Sequence, residues 1–226
     1  MVKKNEQKIL GVLENVYGDT KPALKFGSTF QLLVAVVLSA QTNDNQVNRI
    51  TELLFQKFPG PEDYAALTPE ELEPYIKTCG LYKNKAKNIV ALSKKLLNDH
   101  QGAVPADREQ LMALPGVGRK TANVVLSVGF DQPALAVDTH VFRVAHRLGL
   151  SPESSNTPDK VEEDLCRIIP EKQDQVKIYR EGTICSYAPE FGKTEQIQVL
   201  ALAWEGDGSE HITQIIFERE REKHYD

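Results

Sequence analysis

The chain has 226 residues, 41% hydrophobic and 26% charged, with a formal net charge of −5. That balance is enough to bury one or two cores, and it excludes a low-complexity linker, a solenoid repeat and a transmembrane span, the longest apolar stretch being 30–40. The acidity is uneven: residues 1–150 carry 18 Lys and Arg against 15 Asp and Glu (+3), residues 151–226 carry 9 against 17 (−8), so the first part remains compatible with a nucleic-acid partner.

In chain order, MVKKNEQKIL is a polar, helix-like start without a signal-peptide core. Apolar spacing near 3.6 predicts helices over 5–17, 29–40, 47–58, 69–77, 84–100, 108–114, 119–128, 139–148 and 158–168. Ser28 with Gln31 and Thr68 with Glu71 form capping-box pairs, and Pro69 and Pro158 suit the first helical position. After Gln41 and Thr42, Asn43 or Asp44 caps the next helix, a structural role. Lys83 and Lys87 share a helix side, with Lys85, Lys94 and Lys95 nearby; such a run is usually a solvated face, but here it offers a basic surface to phosphates. Asp107 with Gln110 opens the short helix carrying Leu111, Met112 and Leu114.

The segment LPGVGRKTA (114–122) joins that short helix to the next. Gly116 and Gly118 place no side chain between a phosphate and the backbone N–H groups of the turn, and carry no penalty for positive φ. Lys120 falls in the first turn of the second helix, beside Arg119, with Ala122 as a small packing residue. There the positive dipole end attracts anions and disfavours an ammonium, a direction that favours a nucleophilic amine. Asp138, in VDTH (137–140), is placed as N-cap or first-turn residue of the following helix, where the same field favours an anion. His140 reads as a polar residue lining the site; Asp-x-His alone is no metal motif, and no metal is expected. Singly, these residues also read as a turn, a solvated charge and a cap.

Together they carry a resemblance. LPGVGRKTANVVL (114–126) and AVDTHVFRVAHRLGL (136–150) closely resemble the helix-hairpin-helix plus Gly/Pro-Asp DNA glycosylases, and among them the endonuclease III family. FQLLVAVVLSAQTNDNQVN (30–48), YIKTCGLYKNKAKNI (75–89) and VEEDL (161–165) extend the likeness over about the first 172 residues. The resemblance implies a mainly α, two-domain fold: a six-helix barrel over 22–132, a second helical domain from 1–21 and 133–190, and a cleft between them holding the active site. It implies that Lys120 attacks C1′ of the damaged nucleotide and that Asp138 assists through its charge or by proton transfer. It further implies that Gln41 and Leu81 enter the duplex to fill the space of an extruded base. Without the family, an ordinary helix-end amide and a core leucine are the better readings of that pair.

The C-terminal third departs from this pattern. Endonuclease III closes its second domain with four cysteines spaced C-x6-C-x2-C-x5-C around a [4Fe–4S] cluster, whereas this chain has only Cys79, Cys166 and Cys185. The stretch YREGTIC (179–185) resembles the approach to the first ligand, but Gly192 and Glu195 stand where the next two cysteines belong. Three of four ligands are missing, so no cluster or other cofactor is expected. Residues 191–226 form an atypical extension in which 196–204 and 211–218 read as a β-hairpin.

The expected function is that of a bifunctional base excision repair glycosylase and AP lyase. It would remove oxidised pyrimidines from double-stranded DNA, or act on abasic sites, and cleave the abasic strand by β-elimination. The alternatives are a monofunctional glycosylase for another damaged or mismatched base, and a non-catalytic DNA-binding paralogue. A monomer without membrane contact is expected, and a polar start without a signal-peptide core points to a cytoplasmic, nucleoid-associated protein of a prokaryote.

Overall fold

Thr29–Ser39 is apolar on every side, and a helix of that kind must be buried all round. A computed structural model of the protein, which describes residues 4–17, 22–169, 185–186, 196–204 and 210–218, buries Phe30 and every residue from Leu32 to Leu38 of this helix. The chain divides into two compact units, Pro22–Ala136 and a discontinuous unit made of Met1–Lys21 and Val137–Asp226.

In Pro22–Ala136 the central helix is α2, Thr29–Ser39, capped by Ser28 Oγ, which accepts from Gln31 N–H at 3.2 Å. The Gln31 side chain reaches back to Gly27 N–H at 2.8 Å, one residue short of a true capping box. Asn43 caps α3, Asp44–Lys57. A five-residue helix, α4, Pro61–Ala65, comes next, and α5, Pro69–Ile76, starts with the full Thr68/Glu71 capping box. The long α6, Tyr82–His100, packs against α4 and α5. Asp107 caps α7, Arg108–Met112, and α8 spans Arg119–Val124, running on into a π-helical turn at Val125–Gly129. Leu33, Val37, Leu54, Leu72, Ile76, Ile89, Leu96, Leu111, Ala122 and Val125 belong to one core. Tyr64 stands within it, with Phe30 at 5.4 Å edge-on and Phe58 at 5.7 Å between ring centroids.

The discontinuous unit contains α1, Lys4–Tyr17, with Ile9 and Leu13 buried. Asp138 caps α9, Thr139–Arg147, which packs on α10, Pro158–Ile168, and buries Val141, Val144 and Ala145. Asp164 on α10 is 8% exposed and accepts from Ser151 Oγ at 2.7 Å and Ser155 Oγ at 2.5 Å. Arg167 reaches its other oxygen at 3.1 Å. Burial pushes the Asp164 carboxyl up, but the two hydroxyls, the guanidinium and the His146 ring outweigh it and hold the group below the usual carboxylate range. Further along, β2 (Gln196–Trp204) pairs antiparallel with β3 (Glu210–Glu218), Val199 opposite Ile215, and the two-residue β1, Cys185–Ser186, adds to β2 with Cys185 opposite Leu202. Positions 192 and 195, read against the cluster spacing, lie outside the described residues.

Candidate active site

The hairpin is built from α7, the turn at 115–118 and α8. Leu111 and Leu114 anchor its first arm in the core and Val117 the turn itself, with Val117 N–H donating to Leu114 C=O at 3.2 Å. The two glycines play different parts. Gly116 has φ +79, and an added Cβ would come within 2.7 Å of Asn88 Nδ2, so the turn conformation and the neighbouring side chain both require glycine. Gly118 is extended, at φ −95 and ψ 176, with open space where a Cβ would stand. Positive φ is thus found at Gly116 alone, not at both glycines as expected, and a Cβ at Gly118 would meet open space.

Gly118 is the N-cap of α8, placing Arg119 and Lys120 in the first turn, Arg119 half-buried and Lys120 exposed. The first intrahelical bond runs from Ala122 N–H to Gly118 C=O at 2.9 Å. Asp44, in the first turn of α3, shares this environment. Burial pushes its carboxyl up, and the nearby Lys120 ammonium draws it part of the way back. From the sequence alone Asp44 has only a structural place; its spacing from Lys120 along the chain carries no signal of this proximity.

Gln41 and Leu81 are both exposed and both left-handed, with φ +56 and +57. Leu81 is 58% exposed, so the core reading of that residue is excluded. The backbones carrying the two residues touch: a Cβ at Gly80 would lie 2.9 Å from Gln41 C=O, and Gly80 N–H donates to Thr42 Oγ1 at 3.3 Å. Lys83 and Lys87 stand exposed on α6 as expected, and Lys94 likewise, while Lys95 pairs with Asp99 at 2.7 Å. Lys85 does not belong to that face. It is 4% exposed and donates to Leu38 C=O, Ala40 C=O and Thr42 Oγ1 at 2.7, 2.6 and 2.9 Å. It thereby satisfies carbonyls at the C-terminal end of α2, where a cation is favoured.

In the discontinuous unit Asp138 does what its position promised. One carboxylate oxygen accepts from His140 N–H and Val141 N–H, both at 2.9 Å, and the residue is half-buried at the start of α9. His140 is also half-buried, and its Nδ1 is buried with no hydrogen-bond partner.

Residues 34–171 match the model of the HhH-GPD superfamily of base excision DNA repair proteins. The chain is 53% identical to endonuclease III of Bacillus subtilis over 157 residues, covering 70% of this chain and 71% of that protein. The chain belongs to the endonuclease III family. Endonuclease III of Rickettsia conorii is 48% identical over 165 residues, 73% of this chain and 78% of that one. A solved structure of a trapped endonuclease III–DNA covalent intermediate superposes with a TM-score of 0.73 at 46% identity, covering 80% of this chain and 85% of that chain.

Against the iron–sulfur cluster that the family resemblance raises, the donor set does not fit. A [4Fe–4S] cluster takes four thiolates, and the chain holds three cysteines in all. One of them, Cys79, is buried in the core of Pro22–Ala136. Among the described residues, no three His, Cys, Asp or Glu side chains stand together as a metal site, and no helix is long and apolar enough to cross a membrane.

Proposed function

We propose that this endonuclease III-family glycosylase and AP lyase removes oxidised pyrimidines from double-stranded DNA, with Lys120 as nucleophile and Asp138 assisting through its charge or by proton transfer. Membership of the family makes the chain a base excision repair enzyme. The observation that carries the residue assignment is the exposed Lys120 in the first turn of α8, directly after a turn whose Gly118 leaves room for a phosphate. The trapped covalent intermediate solved for the structural relative supports a covalent route.

Loss of the base develops positive charge on the sugar, which a carboxylate opposes. The Lys120 amine bonds to C1′ as the C1′–N bond to the base breaks, and the base leaves with a proton. Ring opening breaks the C1′–O4′ bond, with O4′ taking a proton from water, and gives an iminium between Lys120 and C1′, which acidifies the C2′ proton. Loss of that proton expels the 3′ phosphate by β-elimination, and water releases the lysine. Gln41 and Leu81 would fill the vacated stack, and Lys83, Lys87, Arg119 and the hairpin amides would hold phosphates. His140 would line the pocket. We further propose that the enzyme acts as a cytoplasmic monomer, without an iron–sulfur cluster of its own; visible absorbance and iron content of the purified protein test the last point.

Borohydride trapping on a duplex containing thymine glycol decides the main reading. A covalent adduct that Lys120→Ala abolishes is expected. Base release without an adduct would mean a monofunctional enzyme, and DNA binding with neither would mean a non-catalytic protein.

A further inference from the structure

Two non-glycine residues in the left-handed region within one surface region are costly, roughly 1 kcal/mol each, and such backbone persists only where its surroundings hold it. Around Gln41 and Leu81 the holding groups include one buried ammonium, beside the turn bond from Thr42 N–H to Ser39 C=O at 3.0 Å. Lys85 Nζ donates to Leu38 and Ala40 on one side of Gln41 and to Thr42 Oγ1 on the other. Its own backbone N–H donates to Leu81 C=O at 3.0 Å, the first bond of α6. Thr42 Oγ1 also accepts from Gly80 N–H, and Gly80 lies against Gln41 C=O. One residue thus touches both loops, by its side chain and by its main chain, and three of its acceptors lie 43 to 47 positions away in sequence.

We propose that Lys85 is a positioning residue that clamps the Gln41 and Leu81 loops into one rigid element, so that both side chains are presented to the duplex together. The proposal rests on the reading that Gln41 and Leu81 enter the stack. The geometry suits an ammonium in particular: three oxygens, two of them backbone carbonyls, surround a group with three protons to give, and nothing apolar of the same length satisfies them. Without the clamp the carbonyl of Leu38 loses its donor and that of Ala40 keeps only the 3.5 Å bond from Thr42 Oγ1, and the strained backbone at Gln41 is free to relax. Chemistry at Lys120 does not pass through Lys85, so the expected loss is confined to steps that open a duplex.

The test compares Lys85→Met, Lys85→Arg and the double variant Gln41→Ala/Leu81→Ala with the parent protein. Two single-turnover rates are read: base release from a thymine glycol duplex, and strand cleavage of a single-stranded oligonucleotide carrying a preformed abasic site. Lys85→Met should slow the duplex reaction about tenfold or more, about 1.4 kcal/mol or more in barrier, and leave the single-stranded reaction within about twofold. Lys85→Arg, which keeps charge and donors, should recover much of the loss. Adding Lys85→Met to the double variant should slow the duplex reaction by less than about twofold, because the element being held is already gone. Equal slowing on both substrates, an unchanged duplex rate, or full additivity would overturn the proposal. A double variant with the parental duplex rate would instead refute the entry of Gln41 and Leu81 into the stack, and the clamp with it. Should Lys85→Met fail to fold, Thr42→Val removes the hydroxyl that takes protons from both Lys85 and Gly80; a smaller loss of the same duplex-only pattern supports the clamp, and its absence overturns it.

Discussion

Asn88 occupies the space that a side chain on Gly116 would need: its Nδ2 would lie 2.7 Å and its Cβ 2.8 Å from the new atom. The long helix α6 and the hairpin are thus seated on each other at a point where glycine is the only residue that fits. Because Gly118, two residues on, faces open space in an extended conformation, the two glycines separate experimentally.

Gly116→Ala must distort the turn and push Asn88 away, and should cost about 1–3 kcal/mol of stability. Gly118→Ala should leave the melting temperature nearly unchanged and weaken binding to undamaged duplex several-fold. Thermal melts and fluorescence anisotropy on both variants check the pair; a Gly118→Ala protein that binds DNA like the parent would remove the case for a phosphate at that position.

Asp138 carries a structural and a proposed chemical duty, and Asn distinguishes them. Asparagine caps helices about as well as aspartate, so Asp138→Asn should keep the bonds to His140 and Val141 and change stability little, whereas Asp138→Ala should cost about 1 kcal/mol. Base release should fall strongly in both variants, and far more than DNA affinity. Equal losses of rate and affinity in Asp138→Asn would count against an electrostatic part in catalysis.

The Asp164 carboxyl lies below its usual value of 3.8 when folded. Its contribution to stability is therefore complete above about pH 4 and is lost as pH falls through the lower folded-state value. Asp164→Asn should destabilise the protein by about 1–3 kcal/mol near neutral pH, through the orphaned Ser151, Ser155 and Arg167 contacts, with the gap closing on acidification. Urea midpoints recorded between about pH 7 and pH 3 read this directly; a gap independent of pH would show that packing, not charge, holds the cluster.

Asp44 has the opposite sign. Burial raises its carboxyl above 3.8, so ionising it weakens the fold as pH rises through that range, and the penalty is fully present at neutral pH. Asp44→Asn should be slightly more stable than the parent at pH 7 and no more stable at low pH. A loss of stability at pH 7 would mean that the Lys120 charge outweighs the burial.

Much of the helical framework was legible because its signals are local. Thr68, Pro69 and Glu71 announce a helix start within four residues, and Asp107 and Asp138 announce theirs. The Pro61–Ala65 helix was not legible, since five residues give no periodicity, and the turn at Val125–Gly129 continued an apolar run without a break. At the site, Lys120 and Asp138 stood out through their neighbours in sequence. Lys85 did not: a lysine between Lys83 and Lys87 reads as a third member of a basic face, and its acceptors Leu38, Ala40 and Thr42 belong to another helix end. Local pattern reports which residues begin an element, and long-range contact decides which charge is turned inward.

The widened turn at Val125–Gly129 gives α8 a tolerance its neighbours lack. A π turn holds one residue more than the α-helical path needs, so removing a single residue there would let the helix close to normal pitch with both flanks in place. The same deletion between Gly118 and Val124 would swing everything on one side of it by about 100° and turn Lys120 away from its present bearing. Length variants of this helix should thus survive at its far end and fail near its beginning.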